Sequence, residues 1–171
     1  MFAAIMIRGS RESPRDHAAG EDLLAALTPY TPADVSGVWH DDRALIVQAR
    51  HHNTPESLHE KAPEICAETG RVIASWVRLD NRRQLCATLQ LEERPDLTDP
   101  QIILAAYRKW GADCAARLEG DFSFVIYDPD HHEAWCARDA MGARPFYYYL
   151  TDSLFVAASS IAAIRAVKGL C

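Results

Sequence analysis

Short apolar runs broken by polar punctuation dominate this chain, and the strands they predict outnumber the helices. Phe2 to Arg8 reads as a buried strand, and the polar residues from Gly9 through Gly20 as a loop. Glu21 to Ala26 gives a short helix that ends at Thr28-Pro-Tyr-Thr-Pro32. Ser36 to His40 and Ala44 to Arg50 form two strands around the turn-like Asp41-Asp42. His51 to Pro63 is polar and irregular, a long functional or packing loop, and Val72 to Leu79 is again a strand. Asn81 to Leu89 carries Leu85 and Leu89 at a helical step of four. The clearest helix opens at Asp99-Pro100, places Ile102, Ile103, Ala106 and Tyr107 on one face, and stops at Gly111.

At least four more strands follow: Asp121 to Tyr127, Glu133 to Arg138, Phe146 to Leu150 and Leu154 to Ala158. Val156 through Ile164 ends in a short helical pattern. Strands in hairpin-like pairs, with fewer helices, define an α+β class. Without repeats or low-complexity segments, residues 1–171 are expected to form a single domain.

Composition narrows the partners. A chain of 171 residues, 49% hydrophobic and 25% charged, can bury a real core. Its net charge of -6 leaves no basic footprint, so no nucleic-acid partner is expected. No apolar run approaches the roughly 20 residues that cross a bilayer, so no membrane partner is expected either. Met1 to Ile7 has no basic leader and reads as a strand, not a signal. The five cysteines (Cys66, Cys86, Cys114, Cys136, Cys171) are odd in number, scattered and without C-x-x-C spacing. That pattern favours a reducing cytoplasm and small buried hydrophobes over disulfides or zinc. The adjacent pairs His51-His52 and His131-His132 would point to opposite faces of a strand, so no metal site is assigned. His131-His132 follows Asp128-Pro-Asp130 and marks a solvated hairpin turn.

The most informative stretch is Leu118-Glu-Gly-Asp-Phe-Ser-Phe-Val-Ile-Tyr-Asp128, followed by Cys136-Ala-Arg-Asp-Ala-Met-Gly-Ala-Arg-Pro-Phe-Tyr-Tyr148. It resembles the glutaminase-type (class II) amidotransferase domain of the asparagine synthetase family. That resemblance is strong after Asn81 and weak before it, and it implies a four-layer αββα, Ntn-hydrolase-like sandwich. In such domains a cysteine directly after the initiator methionine attacks the carboxamide of glutamine. Its own α-amine, with a pKa of about 8, serves as base, and an oxyanion hole stabilises the intermediate. Here Met1 is followed by Phe2, read as core filler, so no catalytic residue is assigned.

A second departure lies in Ser75-Trp-Val-Arg-Leu-Asp-Asn81, where the family reads like N-G-E-I-Y-N. The oxyanion-donating Asn and Gly fall on Trp76 and Val77. Trp76 has no amide to offer, and its bulk is expected to fill the glutamine cavity. Val77 keeps its N–H without glycine's backbone freedom. Asn81 matches the family's last Asn and is expected to cap the following helix. Asp99 aligns with the acid that holds the glutamine ammonium, while by itself it reads as a helix N-cap. Arg50 aligns with the arginine that pairs with the substrate carboxylate if Pro63 matches the family's Q-P-hydrophobic loop; the other reading is a surface arginine. Arg138-Asp139-x-x-Gly142-x-Arg144-Pro145 reads as a tight glycine turn pinned by an Arg138–Asp139 pair, a structural motif.

The resemblance also implies a second, ATP-binding domain with an S-G-G-x-D-S loop, which this chain lacks. ATP and Mg belong to that synthetase domain, in cis or on a separately encoded partner; no cofactor is assigned here. Relatives that lost the cysteine include the β-lactam synthetases and the lasso-peptide macrocyclases. Asn53-Thr-Pro-Glu-Ser57 and Arg78-Leu-Asp-Asn-Arg82 look more like the lasso-cyclase branch. A precursor peptide and a second copy of the chain are further candidate partners. The leading expectation is a catalytically inactive glutaminase-like domain of an amide-forming ligase. The alternatives are an active glutaminase domain of an asparagine synthetase and a stand-alone module that binds a peptide or partner.

Overall fold

Successive residues of the central strands bury onto opposite faces, and each face meets a different partner. In β1 (Phe2–Ile7), Phe2, Ala4 and Met6 pack between two sheets, whereas Ala3 and Ile5 pack under helices. Both faces are covered, so the strand is continuously apolar instead of alternating with polar residues. β3 (Ala44–Arg50) behaves alike, with Ile46 on the inner face and Leu45 and Val47 on the outer one.

The computed structural model describes residues 1–7 and 17–167. Arg8, residues 9–16 of the loop expected from Gly9 through Gly20, and Cys171 lie outside those residues. One sheet has the order β2 (Val35–His40), β3, β1, β9 (Leu154–Ala158), β8 (Tyr147–Leu150). The other runs β4 (Glu64–Ile65), β5 (Val72–Leu79), β6 (Gly120–Asp128), β7 (Glu133–Arg138), and every pairing in both is antiparallel. The sheets stack through Phe2, Ile46, Val72, Ala74, Val125 and Tyr127. Leu23 and Leu27 of α1 (His17–Leu27) and Ala163 of α4 (Ile161–Ala166) cover the outer face of the five-stranded sheet. Leu85 of α2 (Arg82–Leu89) and Ile102 and Ile103 of α3 (Asp99–Trp110) cover the other. Full burial of each such side chain contributes about 1.5–3 kcal/mol, more than any helix propensity here. The layers are therefore α, β, β, α, as the resemblance implies.

Several expectations shift. α1 begins at His17, before the expected Glu21, and runs through Gly20. Glycine disfavours helix interiors, but a Cβ at Gly20 would lie 3.0 Å from Val38, so packing sets the residue there. β4 pairs only Glu64 with Ile73 and Ile65 with Val72, too short a strand to show any alternation. Gly111 does end α3, yet the chain continues as a 3-10 helix over Gly111–Arg117. The segment expected to be irregular from His51 to Pro63 contains another, Pro55–His59, capped by Thr54. β8 starts at Tyr147, one residue later than expected.

Candidate active site and its internal ion pairs

Two polar residues of β3 reach across the sheet stack to β5. Gln48 Nε2 donates to the Ser75 carbonyl at 2.8 Å, and Arg50 Nη2 donates to Ser75 Oγ at 3.0 Å. Beyond this cross-link opens a cavity of about 640 Å³. Met1, Arg50 and Ser75 line it from the strands, Thr54, Ser57 and Glu60 from the capped turn, and Trp76, Val77, Arg78 and Arg144 from the other side. Arg50, Trp76 and Val77, all singled out from sequence, thus share one site. Trp76 does not fill the cavity. It forms a wall, because its ring packs against the inter-sheet core and carries the Arg144 guanidinium 4.8 Å from its centroid.

Arg50 is not a surface residue. It is buried and ion-paired with Glu60, itself buried. Burial, partly countered by Asp99 and Glu64, lowers its pKa to about 10, so it remains a cation at neutral pH. The Met1 amine, also in the wall, donates to the Ala49 carbonyl at 2.7 Å. Burial above all, then Arg50 and Arg144, lower its pKa to about 5. Phe2 does not line the cavity. Its side chain is fully buried between the sheets, 6.1 Å from the Phe146 ring, and its N–H donates to Ser159 Oγ at 2.9 Å.

Asp99 is likewise outside the lining. The N-cap of α3 is Thr98, so Asp99 is not the cap. Its carboxylate accepts the Leu79 N–H at 2.9 Å and pairs with Arg82, whose Nη2 also donates to the Leu97 carbonyl. Asn81 occupies the N-cap position of α2 without a side-chain cap bond. Instead, its amide bridges the Arg117 carbonyl at 2.9 Å and the Glu119 N–H at 3.1 Å, tying α2 to the approach of β6.

The Arg138–Pro145 turn is held by backbone groups, and Arg138 and Asp139 do not pair with each other. Arg138 donates to the carbonyls of Arg144 at 2.9 Å and Gly142 at 2.5 Å. The Asp139 carboxylate accepts the N–H groups of Phe122, Ala143 and Arg144. Burial alone would raise its pKa, but the surrounding N–H donors outweigh that and hold it below the ordinary carboxylate value. Gly142 has φ +66°, and a Cβ there would sit 2.6 Å from Arg138 Nη2. Ser123 Oγ donates to the Pro145 carbonyl at 3.1 Å. The turn thereby delivers Arg144 to the cavity wall.

Sequence reasoning missed Glu60, Ser75 and Arg144 as site residues. Thr54-Pro55-x-Ser57 is the signal that could have found the turn delivering Glu60, since a Thr cap, a following Pro and a reciprocal Ser mark a helical start. Other candidates are chemically quiet. Burial pushes the thiol of Cys136 up to about 12 and that of Cys114 up to about 11, which suppresses thiolate formation. Asp41, Asp42 and His132 bring ligand atoms within 4.8 Å of one another. Asp41 is engaged by the N–H groups of Arg43 and Ala44 and by the Tyr127 hydroxyl, which also meets His132 Nδ1 at 3.1 Å. His131-His132 does sit in a turn, with His132 at φ 53°. No described helix is long and apolar enough to cross a membrane.

Stacked antiparallel sheets between helix layers, with the cavity beside β3 and β5, define an Ntn-hydrolase-like fold. The solved glutamine phosphoribosylpyrophosphate amidotransferase of Bacillus subtilis, complexed with ADP and GMP, superposes with a TM-score of 0.70 at 16% identity. That match covers 96% of this chain and 43% of the other and speaks to the fold alone. The family described as "Glutamine amidotransferase domain" matches residues 48–166, and the chain belongs to it. A Mycobacterium tuberculosis protein bearing the name of a glutamine-hydrolyzing asparagine synthetase is 41% identical over 147 residues, 77% of this chain and 22% of that protein. Asparagine synthetase 3 of Bacillus subtilis, also named as glutamine-hydrolyzing, is 36% identical over 87 residues, 51% of this chain and 14% of that protein. The chain thus spans less than a quarter of these relatives.

Proposed function

We propose that this chain is a glutaminase-like domain that does not hydrolyse glutamine and serves as a structural part of an ATP-dependent, amide-forming enzyme of the asparagine synthetase family. The observation that carries this reading is the burial of Phe2 between the sheets: the position that the resemblance gives to the cysteine presents no thiol to the cavity. The two charged positions that the resemblance assigns to glutamine's carboxylate and ammonium, Arg50 and Asp99, each hold an internal partner of opposite charge. Trp76 and Val77 replace the oxyanion donors. Within that class, the segments 53–57 and 78–82 favour the lasso-peptide cyclase branch. ATP and Mg then belong to a synthetase portion, in cis or on a partner, and the amine comes from a precursor peptide, not from ammonia.

Glutamate release from glutamine, measured with the full chain and a heat-inactivated control, is the test. The expected result is no difference; turnover above the control overturns the reading. The names of the relatives favour one rival, an active glutaminase. That rival requires covalent labelling of the first residues by a glutamine-like electrophile, and none is expected here.

A further inference from the structure

Arg50 and Glu60 face each other in the cavity wall with side chains only 8% and 3% exposed. Moving two charges out of water is costly, and beyond their ion pair Arg50 Nε and Glu60 Oε2 have no hydrogen-bond partner, so each charge depends on the other. Arg50 is anchored from behind by Ser75 Oγ at 3.0 Å. Glu60 is delivered by its own turn. Thr54 caps that turn, Ser57 Oγ accepts the Asn53 N–H at 3.1 Å, and the Glu60 N–H donates to the Ser57 carbonyl at 3.2 Å. Asp99 and Glu64 also act on Arg50 through space, but neither lines the cavity. Among the described residues, Glu60 alone of the acids both pairs with Arg50 and borders the open volume.

We propose that Glu60 is an internal ligand of this cavity: its carboxylate holds the Arg50 guanidinium that a ligand's carboxylate would otherwise take, so Glu60 decides that the cavity excludes free carboxylates. The pocket is then a carboxylate-recognition site whose occupant is the chain itself. Removing the Glu60 side chain leaves a buried guanidinium without an anion beside a space large enough to admit one. A small carboxylate from solution fills that vacancy, restoring the charge balance that the fold requires. The inference rests on the reading above for its location only. Glutamine turnover would count against both, because glutamine is itself a free carboxylate, whereas a failure of Glu60→Ala to respond to acetate overturns this inference alone and leaves that reading standing.

Acetate is titrated into the full chain and into Glu60→Ala, with thermal unfolding followed at matched ionic strength and with chloride and acetamide as controls. Glu60→Ala is expected to be destabilised and to be restored by acetate in a saturable manner, with an apparent affinity roughly tenfold or more above the unvaried chain. If Glu60→Ala is unfolded at ambient temperature, acetate-driven refolding is the same readout. Glycine and N-acetylglycine then separate the two sources of this chemistry, a free amino acid and a peptide C-terminus. The double variant Arg50→Met with Glu60→Met replaces the pair by apolar groups and is expected to ignore acetate. Equal stabilisation of the unvaried chain and Glu60→Ala by acetate overturns the proposal. So does a Glu60→Ala variant, folded or unfolded, that acetate leaves unchanged, or a double variant that acetate stabilises.

Discussion

The turn between β7 and β8 and the cavity wall between β3 and β5 lie in one fold and meet at Arg144, yet they are fixed by different means. In the turn, side chains bond to backbone. Asp139 gathers backbone N–H groups, Arg138 gathers carbonyls, and Gly142 adopts a positive φ. Each role admits very few residue types, so the local sequence is tightly constrained. In the cavity wall, side chains bond mainly to side chains. Arg50 meets Glu60 and Ser75 Oγ, and Arg144 lies over Trp76. Such contacts can be re-partnered without moving the strands beneath them. Backbone-held geometry is therefore written in the local sequence, while side-chain-held contacts depend on partners far apart in the chain.

Phe2 underlies both regions, and its variants give the largest expected effect. Phe2→Ala should cost about 3–5 kcal/mol, the lost transfer of a buried ring plus its cavity. A lower urea midpoint at unchanged m-value would register it. Phe2→Cys is expected to yield no glutamate from glutamine, because Arg50 and Asp99 keep their internal partners; turnover by this single variant would break the comparison.

Next comes Asp139→Ala, which leaves buried N–H groups without an acceptor and should cost about 1–3 kcal/mol for each group that water cannot reach. The same carboxyl imposes a pH dependence of defined sign. Its folded pKa lies below the unfolded value of about 3.9. Its contribution is fully present above that value and is lost as the pH falls through the lower folded one. Asp139→Asn should flatten this acid limb in thermal unfolding, whereas an unchanged limb would assign it to other carboxylates.

Gly142→Ala follows, at about 1–2 kcal/mol for an L-residue in the left-handed region, plus the shift forced on Arg138. Because the turn carries Arg144, the variant should also change the fluorescence of Trp76, best read with the other tryptophans replaced. A variant as stable as the parent would deny the turn its role. Asn81→Ala is the smallest change. Loss of its bridge to Arg117 and Glu119 should cost about 1 kcal/mol, seen as a modest drop in melting temperature with the helicity of α2 intact. A loss of that helicity would restore the capping role that the bare sequence suggests.

β5 and α3 were legible to the residue, because continuous apolar patterning and an Asp-Pro start with a glycine stop are local signals. The residues Arg50, Trp76 and Val77 were legible as site candidates only through a resemblance, and three of the four candidates do converge. Asp99 does not: it lies outside the lining and pairs with Arg82, seventeen positions earlier in the chain. Glu60 gave no sign of its role, since nothing local distinguishes a buried acid from a solvated one in a polar stretch.

The order of strands and helices, the α+β class and the backbone-held turn were determined by the sequence itself, since periodicity, caps and glycine torsions act between near neighbours. Tertiary structure alone decided which charges became partners and which side chains face the cavity. Those outcomes depend on distances between separate strands, and electrostatic pairing is strong only once water has been excluded from both members.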